Sequence, residues 1–324
     1  MGKRLTEKEL KMMIDYNDKE NYLLMPNEII EILVKDKELN KVKAPHIAVA
    51  YIYVFLVTWL YRYAKYGMME LDNVTDKAIK KIMGIAETSS EYTYIFKKGG
   101  VLDRLGITAT HSFKKAPVEW FPDEDGDYGF PQFAFFEEWD EELRKLWTNG
   151  EKLKRRQIKE PLLATGYRNP LNEEDIKKGE ETDYNGTFYE GGKEYTHMVG
   201  MDAFIKCMTT EGLGINAFYM LSFLRSRYGK NTDVSISLET ISAESGIKPS
   251  TRDAVLKMLK AYHMLACIPA DFCLERGDYK TDASTYCLIE DKTEWNTEPN
   301  YTFPKRKVYH VTKHLDYKEP VEEI

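Results

Sequence analysis

Between Ser237 and Leu265 the chain reads SLETISAESGIKPSTRDAVLKMLKAYHML, two helical patterns meeting at Gly246. The second pattern carries Lys248, Arg252, Lys257 and Lys260. Cations at this spacing suit recognition of duplex DNA. An α-helix fits the major groove, Lys acts on phosphate as a point charge, and Arg near a helix start reaches a guanine edge with two hydrogen bonds. Ser250 and Thr251 stand where hydroxyls meet phosphate at a helix N-terminus. Ser250-x-x-Asp253 has the form of a capping box, which predicts a helix opening at Ser250 with Pro249 just outside it.

Successive residues turn by about 100°. Thr251, Val255, Met258, Leu259 and Tyr262 therefore share one face, expected to pack on the apolar helix near 215–229. Arg252, Asp253, Leu256, Lys257 and Lys260 share the other, expected to stand outward. Downstream, DFCLERGDYKTDAS supplies Arg276 and Lys280 as wing contacts to the DNA backbone. Two more basic clusters either widen that footprint or are solvated surface. One holds Lys152, Lys154, Arg155, Arg156 and Lys159; the other holds Lys305, Arg306, Lys307 and Lys313.

These side chains need a scaffold, and the sequence carries a similar one twice. YVFLVTWLYRYAKYG lies over AFYMLSFLRSRYGK, and Gly84-Ile85 lies over Gly246-Ile247. Each unit orders a long buried helix (near 45–66 and 215–229), a short helix (near 75–83 and 238–245), a Gly-Ile turn and a third helix (near 88–98 and 251–262). Short β-rich runs follow: VLDRLGIT and VEWF in the first unit, LACIPA and TYCLIE in the second. Three helices and a two-stranded ribbon make the winged-helix layout. The expected fold class is mostly α with small β wings (α+β). Winged-helix domains are expected at 20–122 and 197–292, a helical and irregular connector at 123–196, and a C-terminal tail at 293–324.

The first unit is poorer in cations. Ser90, Glu91, Tyr94, Ile95 and Lys98 occupy the positions of Arg252, Asp253, Leu256, Lys257 and Lys260. That face suits a replication or regulatory protein as partner, or non-specific DNA contact through Lys97 and Lys98. In the connector, FFEEWDEELRKLW puts Phe136, Trp139, Leu143, Leu146 and Trp147 on one helical stripe, which needs either a winged helix or a second copy of the chain. The second choice predicts a homodimer through residues 135–147.

With 43% hydrophobic and 31% charged residues the chain is composed like a globular protein, and its net charge of -7 excludes an all-basic surface without excluding a local one. The apolar run IAVAYIYVFLVTWLY is short for a bilayer and reads as a core helix. No secretory signal is visible, so a cytoplasmic location with reduced cysteines is expected, without membrane contact. PDEDGDYG fails as a calcium loop, GTFYEGGKE as a phosphate loop and HVTKH as a zinc-peptidase motif. No catalytic residue, metal site or cofactor is expected.

The twice-repeated long helix, Gly-Ile turn, Ser/Thr-opened helix and β ribbon resemble the replication initiators of Firmicute plasmids and phages. YLLMPNEII and HMVGMDAFIKC match the strand-like lead-ins of such proteins. The resemblance implies origin binding by paired winged helices, one unit reading double-stranded DNA and the other serving assembly. A transcriptional repressor of a mobile element shares every one of these features. A winged-helix protein-interaction scaffold is the rival from another class.

Overall fold

The structure is a computed structural model that describes residues 2–42, 44–121, 132–148, 153, 156–165, 196–228, 231–273, 283–311 and 318–323. It is a mixed α+β fold with a helical core and several small sheets, antiparallel except for one parallel pair of strands. Helix α1 (Glu7–Met13) opens with a capping box between Thr6 and Glu9. Strand β1 (Tyr22–Pro26), α2 (Glu28–Lys35) and α3 (Lys37–Val42) lead into α4 (Ala44–Arg62). A helix apolar on all sides must be covered on all sides, and α4 is buried without interruption from His46 to Tyr61. Among the described residues, no helix is long and apolar enough to cross a membrane.

Helix α5 (Asp76–Ile82) is capped by Thr75, and the chain turns at Gly84 with φ +69°. Next come α6 (Thr93–Phe96), α7 (Val101–Arg104), β2 (Ala109–Ser112), β3 (Pro117–Phe121), β4 (Gln132–Phe135), α8 (Glu141–Thr148), β5 (Gln157–Glu160) and α9 (Leu162–Thr165). Strand β2 pairs with β5 and β3 with β4.

The second half begins with β6 (Thr196–Gly200), α10 (Met201–Thr209) and α11 (Ile215–Arg227). It continues through β7 (Asp233–Ser235), α12 (Leu238–Ser245) and α13 (Pro249–Ala261). Helix α12 is capped by Ser237 and ends at Gly246, again with φ +69°. Strands β8 (Leu265–Ile268), β9 (Phe272–Cys273), β10 (Thr285–Leu288), β11 (Lys307–Val311) and β12 (Lys318–Glu323) complete it. A three-stranded antiparallel sheet runs in the order β7-β10-β8, and β11 lies between β9 and β12.

The two halves share one core. The lead-in strands β1 and β6 pair antiparallel with Leu24 opposite Met198 at the centre, and Tyr22↔Gly200 and Pro26↔Thr196 at the ends. Helices α4 and α11 pack through Phe55 on Phe218 (centroids 4.9 Å apart) and Tyr51 on Tyr219 (5.5 Å). At this junction the Tyr51 hydroxyl donates to His197 Nε2 (2.7 Å), and His197 Nδ1 donates to Asn27 Oδ1 (2.9 Å). Burial, helped by the charges of Arg225 and Arg227, holds the His197 pKa down to about 3.

Several expectations are corrected. The units at 20–122 and 197–292 are not separately cored, because one hydrophobic cluster runs from Leu10 to Tyr286. The third helix expected near 88–98 shrinks to α6: Thr88, Ser89 and Ser90 carry hydroxyls that compete for backbone hydrogen bonds and favour turns over helix interiors. Lys80 Nζ also donates to Ser89 O (2.8 Å) and holds that backbone in its turn. VLDRLGIT forms α7 and a turn, not a strand; Asp103 anchors it by accepting from Gly99 N, Thr108 Oγ1 and Thr110 Oγ1. Residues 135–147 are not one helix but a strand end, a 3-10 turn at Phe136–Glu138 and α8.

The aromatics of that stripe already have partners in the chain. Trp147 stacks on Phe113 (5.6 Å) and donates to Gly67 O (3.0 Å), while Trp139 packs on Phe136 and donates to Glu119 (3.2 Å). Only Leu143 and Leu146 of the stripe remain exposed, so the apolar surface expected to build a homodimer is mostly spent within the fold. The tail expected at 293–324 is in part a working element, since β11 pairs with β9.

The depressed His197 pKa has a consequence for stability. Unfolding returns this imidazole to its ordinary value near 6.5, so the unfolded chain binds more protons. Its stabilisation is complete above about pH 6.5 and is lost as pH falls toward 3, by about 1.4 kcal/mol per unit at most. Urea unfolding at pH 7 and pH 5 checks this: His197→Gln should shrink the difference between the two by about 2 kcal/mol. An unchanged difference contradicts the buried neutral imidazole.

Candidate nucleic-acid interface

Helix α13 is launched from a tight turn. Gly246 is left-handed, Ile247 is buried, Lys248 is the N-cap and Pro249 is the first helical residue. Proline fits there because its fixed φ is helical and its missing N–H would have had no partner. The helix thus starts one residue before the expected Ser250, no side chain caps it, and Asp253 pairs with Arg252 instead of closing a capping box.

The start does not by itself set which face is buried; Leu256 and Leu259 do. Both are buried, and Arg252 lies one turn before Leu256. Burying Leu256 draws the stem of Arg252 inward, leaving it only 6% exposed. Its guanidinium is then satisfied locally. Nη1 donates to Leu238 O (2.6 Å) and Ser242 Oγ (3.0 Å), and Nε donates to Asp253 Oδ1 (2.8 Å). Arg252 ties α13 to α12 and neutralises the one carboxylate of α13. The expectation that it faces outward to a guanine edge is overturned. The signal was present in the sequence: an apolar Leu256 sat on the face assigned to solvent.

The exposed positions of this region are Lys248, Pro249, Ser250, Asp253, Ala254 and Lys257, with Thr251 and Lys260 half-buried at the flanks. A second segment joins them. Asn296 and Asn300 donate their backbone N–H groups to Tyr262 O (3.0 Å) and Ala261 O (2.8 Å), satisfying carbonyls at the end of α13. The chain then runs beside the helix. Lys257 Nζ lies 5.2 Å from the Tyr301 ring centroid and Lys260 Nζ 5.0 Å from that of Phe303.

Beyond that point Lys305, Arg306 and Lys307 are exposed, and β11 carries the segment onto β9. Cys267 on β8 senses both groups: burial pushes its thiol up, while Lys260 and Arg306 pull it back. Lys257 and Lys260 of α13 are thus brought beside the segment that leads into Lys305–Lys307, more than forty residues on in the chain, while Lys248 is exposed at the start of the helix.

Other expected contacts fall elsewhere. Arg276, Lys280, Lys313, Lys152, Lys154 and Arg155 lie outside the described residues, as do PDEDGDYG and GTFYEGGKE. Arg156 is turned to Leu71 O (2.7 Å) and Asp72. Lys159 is buried against Asp103 (2.6 Å), so neither is part of a solvated arm. Lys97 and Lys98 are exposed at the α6–α7 turn, not on the α13 face. In the first unit the short α6 offers little to a partner: Ile95 is buried, and Tyr94 and Glu91 close on His46 at 3.0 and 3.6 Å.

No family model, curated protein or solved structure matches this chain.

The clamp assigned to Arg252 is measurable. Arg252→Met should lower the free energy of unfolding by about 1–3 kcal/mol, since the carbonyl and hydroxyl it serves lose a charged donor. A urea midpoint equal to that of the unaltered chain would show that the α12–α13 tie carries no stability.

Proposed function

We propose that the chain is a DNA-binding protein that holds duplex through phosphate contacts along α13 and the segment 305–307. The observation that carries this reading is the return of the segment leading to Lys305, Arg306 and Lys307 onto Lys257 and Lys260 of α13, while Asp253 is paired with Arg252. The element order supports it too. Helix α11, strand β7, helices α12 and α13 and strands β8 and β10, with sheet order β7-β10-β8, come in the order that a winged helix would have. In that layout α13 is the helix offered to the major groove, with Ser250 and Thr251 in its first turn.

Base-edge reading by Arg252 is not part of this function. Lysines on phosphate give affinity and register but little sequence information. Selectivity then rests on the exposed Ser250, Asp253 and Ala254 and on duplex shape. Within DNA binding, the resemblance drawn from the sequence favours a replication initiator of a plasmid or phage. Recovery of promoter fragments instead of an origin would make it a repressor.

The test is the salt dependence of binding to a random-sequence duplex. With about five phosphate contacts, affinity should fall on the order of a hundred- to a thousandfold between about 50 and about 200 mM salt. Replacing Lys257 and Lys305 with Ala should make the log–log slope shallower by about 2. A slope near zero sinks the reading and leaves the interaction scaffold in its place.

A further inference from the structure

Tyr301 and Phe303 interrupt the cationic face, and the hydrophobic core takes neither ring. Tyr301 is 52% exposed and Phe303 is half-buried. Apolar ring surface left in water costs free energy unless something covers it. The two rings meet edge to face, with centroids 6.4 Å apart and planes at 89°. Each is steadied by a cation of α13, Lys257 on Tyr301 and Lys260 on Phe303.

Their backbone is fixed as well. Asn300 N–H donates to Ala261 O (2.8 Å), and Thr302 N–H donates to Asn300 Oδ1 (3.0 Å). The Tyr301 hydroxyl reaches Met258 Sδ at 3.7 Å. The rings are therefore presented in a set orientation, and Lys305, Arg306 and Lys307 follow directly.

Aromatic rings followed by a run of cations along an exposed strip suit a strand whose bases are unpaired. Every base has a face to lay on a ring, and its backbone follows the charges. A duplex offers the ring nothing, because its bases are stacked on one another. We propose that residues 300–307, with Lys257 and Lys260 behind them, bind single-stranded nucleic acid. Tyr301 stacks a base, Phe303 sets the ring edge-on, and Lys305–Lys307 track the phosphates. The site shares lysines with the duplex face but does not rest on the duplex reading.

Fluorescence anisotropy with labelled oligothymidylate of about ten nucleotides tests it, with random duplex measured in parallel on the same proteins. The intact chain should bind the oligonucleotide. Tyr301→Ala should weaken that binding roughly tenfold with its salt slope unchanged, and Tyr301→Phe should stay within about twofold of the intact chain. Lys305→Ala combined with Lys307→Ala should make the slope shallower by about 1.4. Tyr301→Ala should cost duplex affinity much less than it costs oligothymidylate, because the duplex has no unpaired base to stack.

Absence of oligothymidylate binding overturns the proposal. So does a Tyr301→Phe variant as weak as Tyr301→Ala, or a parallel loss on duplex, since either makes the ring a brace for the segment. If Tyr301→Ala does not fold, the Tyr301→Phe and paired lysine variants decide by the same criteria. Oligothymidylate binding without duplex binding upholds this site and sinks the duplex reading instead.

Discussion

Between His46 and Tyr61 helix α4 offers no residue to solvent, so every turn of it requires a neighbour. Those neighbours come from both halves of the chain. Helix α11 supplies Phe218 and Tyr219, and α10 supplies Phe204, 5.4 Å from Phe55. The N-terminal region closes the end of the helix. Ile14 O accepts from Trp59 Nε1 (3.1 Å), and the buried Lys65 just beyond α4 is paired with Asp15 and Glu20. Covering so large an apolar surface draws both halves of the chain into one core. It also fixes α11, on which α13 and the β7-β10-β8 sheet are built.

Elements that come in the same order in the two halves meet at the junction. Equivalent lead-in strands pair about Leu24 and Met198, and each short helix before the third element ends at a glycine with φ +69°. The halves then diverge. After Gly246 a proline-started helix of 13 residues forms, whereas after Gly84 the chain makes turns and a helix of 4 residues. The divergence is physical: the second unit has Pro249 and a long apolar repeat, while the first has a run of Ser, Thr and Tyr that closes on His46. Only one unit retains a presented third helix, so the proposed DNA contact is one-sided.

Much of this was legible in the sequence. Helices α4, α5, α11, α12 and α13 and strands β3, β8 and β10 follow from period, caps and glycine stops, which are local signals. What could not be read was mostly non-local. The β1–β6 pairing joins residues far apart in the chain, and no local pattern announces it. The burial of Lys159 depends on Asp103 across the fold, and Trp147 is met by Phe113 and Gly67. The inward turn of Arg252 was the legible miss. Its neighbour Leu256 could not have been left in water at no cost, and the phase of the helix followed the leucine. The C-terminal cluster was visible as charge, but its return to α13 was not.

The central claim is that the outer lysines of α13 and those of the returning segment act as one phosphate-binding face. Lysine acetylation rates, read by mass spectrometry with and without duplex DNA, test it most directly. The account predicts that duplex slows modification of Lys248, Lys257, Lys305 and Lys307 together, while Lys97 and Lys98 react as in the free protein. Unchanged rates at all of the first four, or protection confined to Lys97 and Lys98, would contradict it.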